Sequence, residues 1–218
     1  DFNFIAAREK IRIPPYILLN FKNSFLFLAP SLFALLINLF TMPIFARNLS
    51  HYDYSIIGYF GAIQGIITPI LNLSLFPYYM RHYHERTATE NEDVIKNIVI
   101  FLAFVNLLTI VIGTLIVYLY FYVAEVEFPL FPYIFFSFFS VYFLLFVSSL
   151  KMKYKMKREG IRYAFIGILC PILNIALGLL LVAGLNLGAK GYMGAILLGE
   201  GLVGIFAFIT LYRNTPFD

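Results

Sequence analysis

Tryptophan is absent from this 218-residue chain, cysteine occurs once, and charged residues make up only 13%. The single cysteine, Cys170, excludes an intramolecular disulfide, and no zinc or redox spacing surrounds it. Scarce charge beside 61% hydrophobic residues and a mean hydropathy of +0.84 excludes a soluble domain. A chain this short cannot hide that much apolar surface, so the reading is an integral membrane protein. The first apolar run is too long for a cleavable signal and lacks a small-residue cleavage site, so it is expected to be a membrane span. No glycine-rich phosphate loop follows a strand pattern, which argues against nucleotide hydrolysis. His51, His82 and His84 lie near span ends, and none pairs with an intramembrane Ser, Cys or acid at usable spacing. No enzyme activity, metal or cofactor is therefore expected. The net charge of +4 is read segment by segment, not as affinity for nucleic acid, and no nucleic-acid partner is expected. What is abundant is aromatic: 16 Tyr and 25 Phe can supply the interfacial belt that Trp would otherwise share.

The apolar runs predict an all-α polytopic membrane protein, a bundle of six transmembrane helices. Residues 1–22 carry Arg8, Lys10, Arg12 and Lys22 around Pro14-Pro15 and read as a cytoplasmic arm. The lobe itself covers 23–213, and 214–218 form a tail or the start of a linker. The spans are expected at about Ser24–Ala46, His51–Met80, Val94–Val123, Leu130–Leu150, Ile161–Leu185 and Tyr192–Tyr212. Ser50 with Asp53, and Thr89 with Glu92, have the spacing of helix-capping boxes. The chain begins at Asp1 and stops soon after an apolar run, so a fragment or trimmed form of a longer protein is expected.

Charge orients the spans. With the N terminus inside, 14 of the 16 Lys and Arg fall in inner segments, and only Arg47 and Lys190 lie outside. Both fragment termini are then cytoplasmic, and every outer turn is short.

Isolated polar residues in membrane helices mostly bond one helix to another. Asn106, Thr109, Ser137, Ser140, Ser148 and Ser149 read that way. Gly61 with Gly65, and the face Gly167, Pro171, Asn174 and Gly178, read as packing seams. Three features stand above this background. Gln64, Thr68 and Asn72 recur every four residues and so share one helical face, with Asn38 on the first span as a neighbour. That stripe should face protein or a wet cavity, either as interhelical glue or as a substrate path. Arg47 and Arg81 stand at opposite ends of the first hairpin, either snorkelling to the interface or clamping an anion. Glu200 lies about ten residues into the last span. A charged acid there costs roughly 2.5–3.5 kcal/mol, so it should be paired or protonated, and it is the candidate for ion coupling.

Pro43, Ala46, Arg47, Leu49 and Ser50, followed by Tyr54-Ser55-Ile56-Ile57-Gly58-Tyr59-Phe60, resemble the first hairpin of polysaccharide flippases. These form the polysaccharide biosynthesis branch of the multidrug/oligosaccharidyl-lipid/polysaccharide exporter superfamily. That family usually has Gly where Ser55 stands. Leu187-Gly188-Ala189-Lys190-Gly191-Tyr192-Met193-Gly194-Ala195 is similar to its fifth-to-sixth helix turn. The resemblance spans most of the chain, carried by glycines, prolines and apolar spacing. It implies the N-terminal lobe of a two-lobe transporter that flips undecaprenyl-diphosphate-linked oligosaccharide across the bacterial inner membrane for O-antigen or capsule. The implied mechanism is alternating access. The implied partners are the bilayer, the lipid-linked oligosaccharide, a proton or sodium ion, and a second six-helix lobe. Asn38, Gln64, Thr68 and Asn72 would line the sugar path. Arg47 and Arg81 would contact the diphosphate, and Glu200 would carry ion coupling. The alternatives are a multidrug exporter of the same superfamily or a membrane-embedded polymerase of polysaccharide assembly. Multidrug exporters often carry an acid on the first helix, where this chain has none. A polymerase would be expected to use a long outer loop, and the outer turns here are too short for one.

The charge asymmetry makes a direct prediction. In a Cys170→Ser background, Ser50→Cys and Glu125→Cys should label with an impermeant thiol reagent from outside, and Glu159→Cys should not. Outside labelling at position 159 would overturn the six-span orientation.

Overall fold

The computed structural model describes residues 15–73, 75–126 and 128–213, with side chains from residue 24 onward except at 71 and 72. Every described element is helical. The order is α1 (Pro15–Asn48), α2 (His51–Asn72), α3 (Leu75–Arg81), one 3₁₀ turn (Tyr83–Glu85), α4 (Ala88–Val123), α5 (Tyr133–Met156), α6 (Gly160–Gly178) with a π-helical continuation over Leu179–Gly184, and α7 (Gly188–Tyr212). Five stretches are long and apolar enough to cross a bilayer: Ser24–Asn48, Ala88–Val123, Tyr133–Met156, Gly160–Gly184 and Gly188–Tyr212. The bent pair α2 and α3 makes a sixth if counted as one span. The chain is thus an all-helical, multi-pass membrane protein.

Local chemistry accounts for where the helices begin and end. The arm expected over 1–22 lies outside the described residues up to 14. From Pro15, which needs no partner for its missing amide hydrogen in a first turn, the chain is already α1. The unbroken span expected from His51 to Met80 is instead bent by 42°. Pro69 removes one backbone donor. Leu73 then takes a left-handed φ of 44°, its N–H reaching the Ile70 carbonyl at 3.2 Å. The second capping box also differs from expectation: Thr87 and Glu90 cap α4, not Thr89 and Glu92. Glu92 is drawn instead to the end of α5, 2.6 Å from Lys157 Nζ and 3.6 Å from Lys153 Nζ. The last span begins at Gly188, earlier than Tyr192, so the glycine-rich turn before it is shorter than expected.

The Ser50/Asp53 box forms as expected and does more than cap α2. Asp53 Oδ2 accepts from the Ser50 N–H at 3.0 Å, and the Ser50 hydroxyl accepts from the Asp53 N–H at 3.1 Å. The other oxygen, Oδ1, accepts from the Ala189 N–H at 2.8 Å in the first turn of α7. One carboxylate therefore serves two helix N-termini, where exposed amides favour negative charge. Gly188 has φ +55°, and a Cβ there would meet Asp53 Oδ1 at 2.6 Å, so conformation and space both call for glycine.

α5 is the central post, packed against α2, α4, α6 and α7. Its buried Phe138, Leu145, Phe146 and Leu150 enter the two main apolar clusters. Lipid tails are as apolar as these side chains, so close fit rather than water exclusion holds the helices together. The fit is visible at small residues. Gly204 faces the Phe143 backbone, where an added Cβ would lie 2.8 Å from the carbonyl oxygen. Gly167 faces Pro30 of α1, and Gly178 faces Phe45. The Gly167–Gly178 seam is thus packed. The Gly61/Gly65 seam is not packed within this chain, because nothing lies within 4 Å of a Cβ at either position. α1 contacts mainly α6, and its Leu28, Leu32, Leu36, Leu39 and Phe40 stay exposed.

This contrast can be tested by thermal melts of the full-length protein in detergent, followed by circular dichroism. Gly167→Ala and Gly204→Ala should each lower stability by about 1–3 kcal/mol through overpacking. Gly61→Ala and Gly65→Ala should be neutral or raise it by up to about 1 kcal/mol through helix propensity. Equal losses in the two groups would contradict the packing described.

Candidate functional site

α1 stands off from the bundle along part of its length. The space between it and α5, α6 and α7 is a cavity of about 970 Å³. Its wall is mostly apolar, and Leu35, Leu39 and Met42 line it while remaining exposed, so it opens on the flank of the bundle. One end is closed by Phe45, Leu49 and Val182, with Tyr192 packed edge-on against Phe45 at 5.3 Å between ring centroids. The polar lining comes from Asn38 and Thr41 on α1, Lys151 on α5, Asn174 on α6 and Glu200 on α7.

Each of these groups has a distinct state. The Thr41 hydroxyl donates to the Ile37 carbonyl of its own helix at 2.9 Å and is thereby satisfied. Asn174 Oδ1 is buried with no partner among the described residues. It presses against α7 where Gly199 leaves space: a Cβ at Gly199 would overlap it. Glu200 lines the cavity and is flanked by Gly199 and Gly201, both buried. Lys151 Nζ lies over the Tyr163 ring at 5.3 Å, and Tyr163 is packed edge-on against Phe27 of α1.

The expected stripe on α2 divides. Gln64 Nε2 donates to the Ser137 carbonyl and to Ser140 Oγ, both at 2.9 Å, so the amide binds α2 to α5. The Ser140 hydroxyl in turn donates to the Ser137 carbonyl at 2.9 Å, so Gln64, Ser137 and Ser140 form one polar knot between α2 and α5. Thr68 donates to its own helix at the Gln64 carbonyl, 2.7 Å away. The Asn72 side chain lies outside the described residues. Neither Gln64 nor Thr68 lines the cavity, whereas Asn38 and Glu200 do. Arg47 and Arg81 are exposed at opposite ends of the first hairpin, neither is part of the cavity lining, and neither is in an ion pair among the described residues. Among the described residues no group of His, Cys, Asp or Glu converges as a metal site.

Sequence reasoning missed Lys151, counting it among the cations of the inner segments, and read Asn174 as part of a packing seam. The signal for Lys151 was the helical phase: it falls on a different face from Lys153 and Lys157, which meet Glu92.

Water access should follow the cavity. In a Cys170→Ser background of the full-length protein, Asn38→Cys, Asn174→Cys and Glu200→Cys should react with a small methanethiosulfonate reagent at least about tenfold faster than Gln64→Cys or Thr68→Cys. A profile peaking at 64 and 68 would place the wet surface on α2 instead. No family model matches this chain, and neither does any curated protein or solved structure.

Proposed function

We propose that this chain is the N-terminal six-helix lobe of a flippase for lipid-linked oligosaccharide in the bacterial inner membrane, with α2 and α3 counted as one bent span. The observation that carries the reading is the cavity. It joins a polar lining of Asn38, Asn174, Lys151 and Glu200 to an apolar mouth on the flank of α1. That arrangement suits a molecule whose polar head must leave water while its hydrocarbon tail stays in the bilayer. Alternating access requires helices that can shift against one another. α1, held mainly by α6 and carrying Pro30 and Pro43, is the mobile candidate, and α5 with α7 is the fixed frame. In this reading Glu200 carries the coupling proton or sodium ion. Gln64 ties α2 to α5 through Ser137 and Ser140 rather than lining the sugar path. A second lobe would cover the open Gly58/Gly61/Gly65 face of α2. A multidrug exporter is the second reading, favoured by one feature: a carboxyl in an apolar cavity also suits a lipophilic cation.

Glu200→Gln tests the coupling role with shape preserved. In a flippase-deleted strain carrying the full-length gene, the variant should reach normal abundance but restore about tenfold less surface polysaccharide than the parent. Normal polysaccharide at normal abundance would remove Glu200 from the mechanism. Drug resistance lost in place of polysaccharide would favour the exporter reading.

A further inference from the structure

We propose that Lys151 is the residue of this cavity that contacts a phosphate group, and that the ligand is a lipid bearing a phosphate or diphosphate head. The inference deepens the reading above and rests on it for the lipid part only. Four lysines and two arginines cluster near the joint of α5 and α6, and their partners differ. Lys153 and Lys157 share Glu92. Arg162 pairs with Glu159 at 2.7 Å. Lys155 and Arg158 are exposed to solvent. Lys151 alone of this cluster lines the cavity.

Its setting is that of an uncompensated cation. The residue lies about one and a half turns inside the end of α5. Its stem runs over Gly167, whose added Cβ would sit 3.6 Å from Lys151 Cε, and its ammonium rests on the Tyr163 ring. The neighbouring wall is Ile166, Gly167 and Cys170. No carboxylate pairs with it among the described residues. Glu200, the acid of the cavity, does not neutralise it, since no ion pair joins the two among the described residues. A ring face supplies only part of what water gives an ammonium group. An anion entering from the cavity would supply the remainder. An ammonium is a compact point charge with rotatable donors, suited to a phosphate that must be released again rather than held by a bidentate fork. Leu35, Leu39 and Met42 offer an apolar path for the tail on the same cavity. Arg47 and Arg81, expected to make this contact, lie outside the cavity.

Cys170 provides the readout, since it lines the cavity beside Lys151. The experiment uses the full-length protein in detergent, with any cysteine beyond this chain replaced by serine, and measures the rate of Cys170 alkylation by a small maleimide. The probes are farnesyl diphosphate, farnesol and inorganic diphosphate. Farnesyl diphosphate should slow alkylation at least about tenfold, and farnesol should do so only at much higher concentration. Lys151→Gln should raise the half-protecting concentration of farnesyl diphosphate about tenfold or more without affecting farnesol. Lys151→Arg should restore protection, and Arg47→Gln and Arg81→Gln should leave it unchanged. A melting temperature for each variant separates lost binding from lost folding. Unchanged protection in folded Lys151→Gln would overturn the assignment, as would an absence of protection by any diphosphate in the parent. Equal protection by inorganic and farnesyl diphosphate would keep the phosphate contact and overturn the lipid. Lys151-dependent protection in a protein that moves no polysaccharide would keep this site and sink the flippase reading alone.

Discussion

Bilayer hydrocarbon offers no hydrogen-bond partner, and that constraint sorts every polar side chain in these spans. Most answer it locally. Thr41, Thr68, Thr109, Ser149 and Thr210 each donate to a carbonyl one turn back on their own helix. Gln64 is too long for that solution and reaches across to α5. What remains is a small set whose needs the described residues do not meet in full: the Asn106 oxygen on α4, the Asn174 oxygen, the Lys151 ammonium and the Glu200 carboxyl. The last three face the same cavity. The cavity is thus where unmet polar demand accumulates, which is the strongest physical reason to place function there.

The same constraint explains how the helices can pack around such a void. Without water exclusion between spans, adhesion depends on close approach, and α5, α6 and α7 achieve it through Gly199 and Gly204. α1 meets α6 along the Gly167 and Gly178 seam, at Pro30 and Phe45, and through Phe27 on Tyr163, and most of its surface faces outward. A tightly packed frame beside a loosely held helix is a mechanical asymmetry. It gives a cavity one wall that can move without disturbing the packed helices on the other.

Much of this was legible in the chain. The apolar runs located the spans because hydropathy over about 20 residues is a strong signal. Ser50 and Asp53 announced the start of α2, since a capping box is a local device read at fixed spacing. Glu200 stood out because an acid in a long apolar run is rare. Other features were not legible, and for identifiable reasons. Two overlapping Thr-x-x-Glu patterns begin at Thr87 and Thr89, and only the position of Lys153 and Lys157 on α5 decides between them. Fourfold spacing put Gln64 and Thr68 on one face but could not say that the neighbour was a serine pair rather than water. Lys151 was hidden among the lysines around it, because its role depends on α6 and α1 meeting α5 at Gly167 and Tyr163, a contact that no local pattern encodes.

The two ends of the cavity differ in what holds them. At the end carrying the α2 and α7 N-termini, Asp53 bonds both helices, and directly behind it Phe45, Leu49, Val182 and Tyr192 fill the space. Parting α2 from α7 there means breaking a charge-assisted hydrogen bond, and parting α1 from α7 means breaking the Phe45–Tyr192 contact. At the other end the nearest polar group of the wall is Lys151, braced by Tyr163, whose ring also touches α1 through Phe27. A phosphate that draws the ammonium off that ring would loosen a contact shared by α5, α6 and α1. Ligand charge and helix position would then be linked through one aromatic ring, while the Asp53 clasp keeps the opposite end shut.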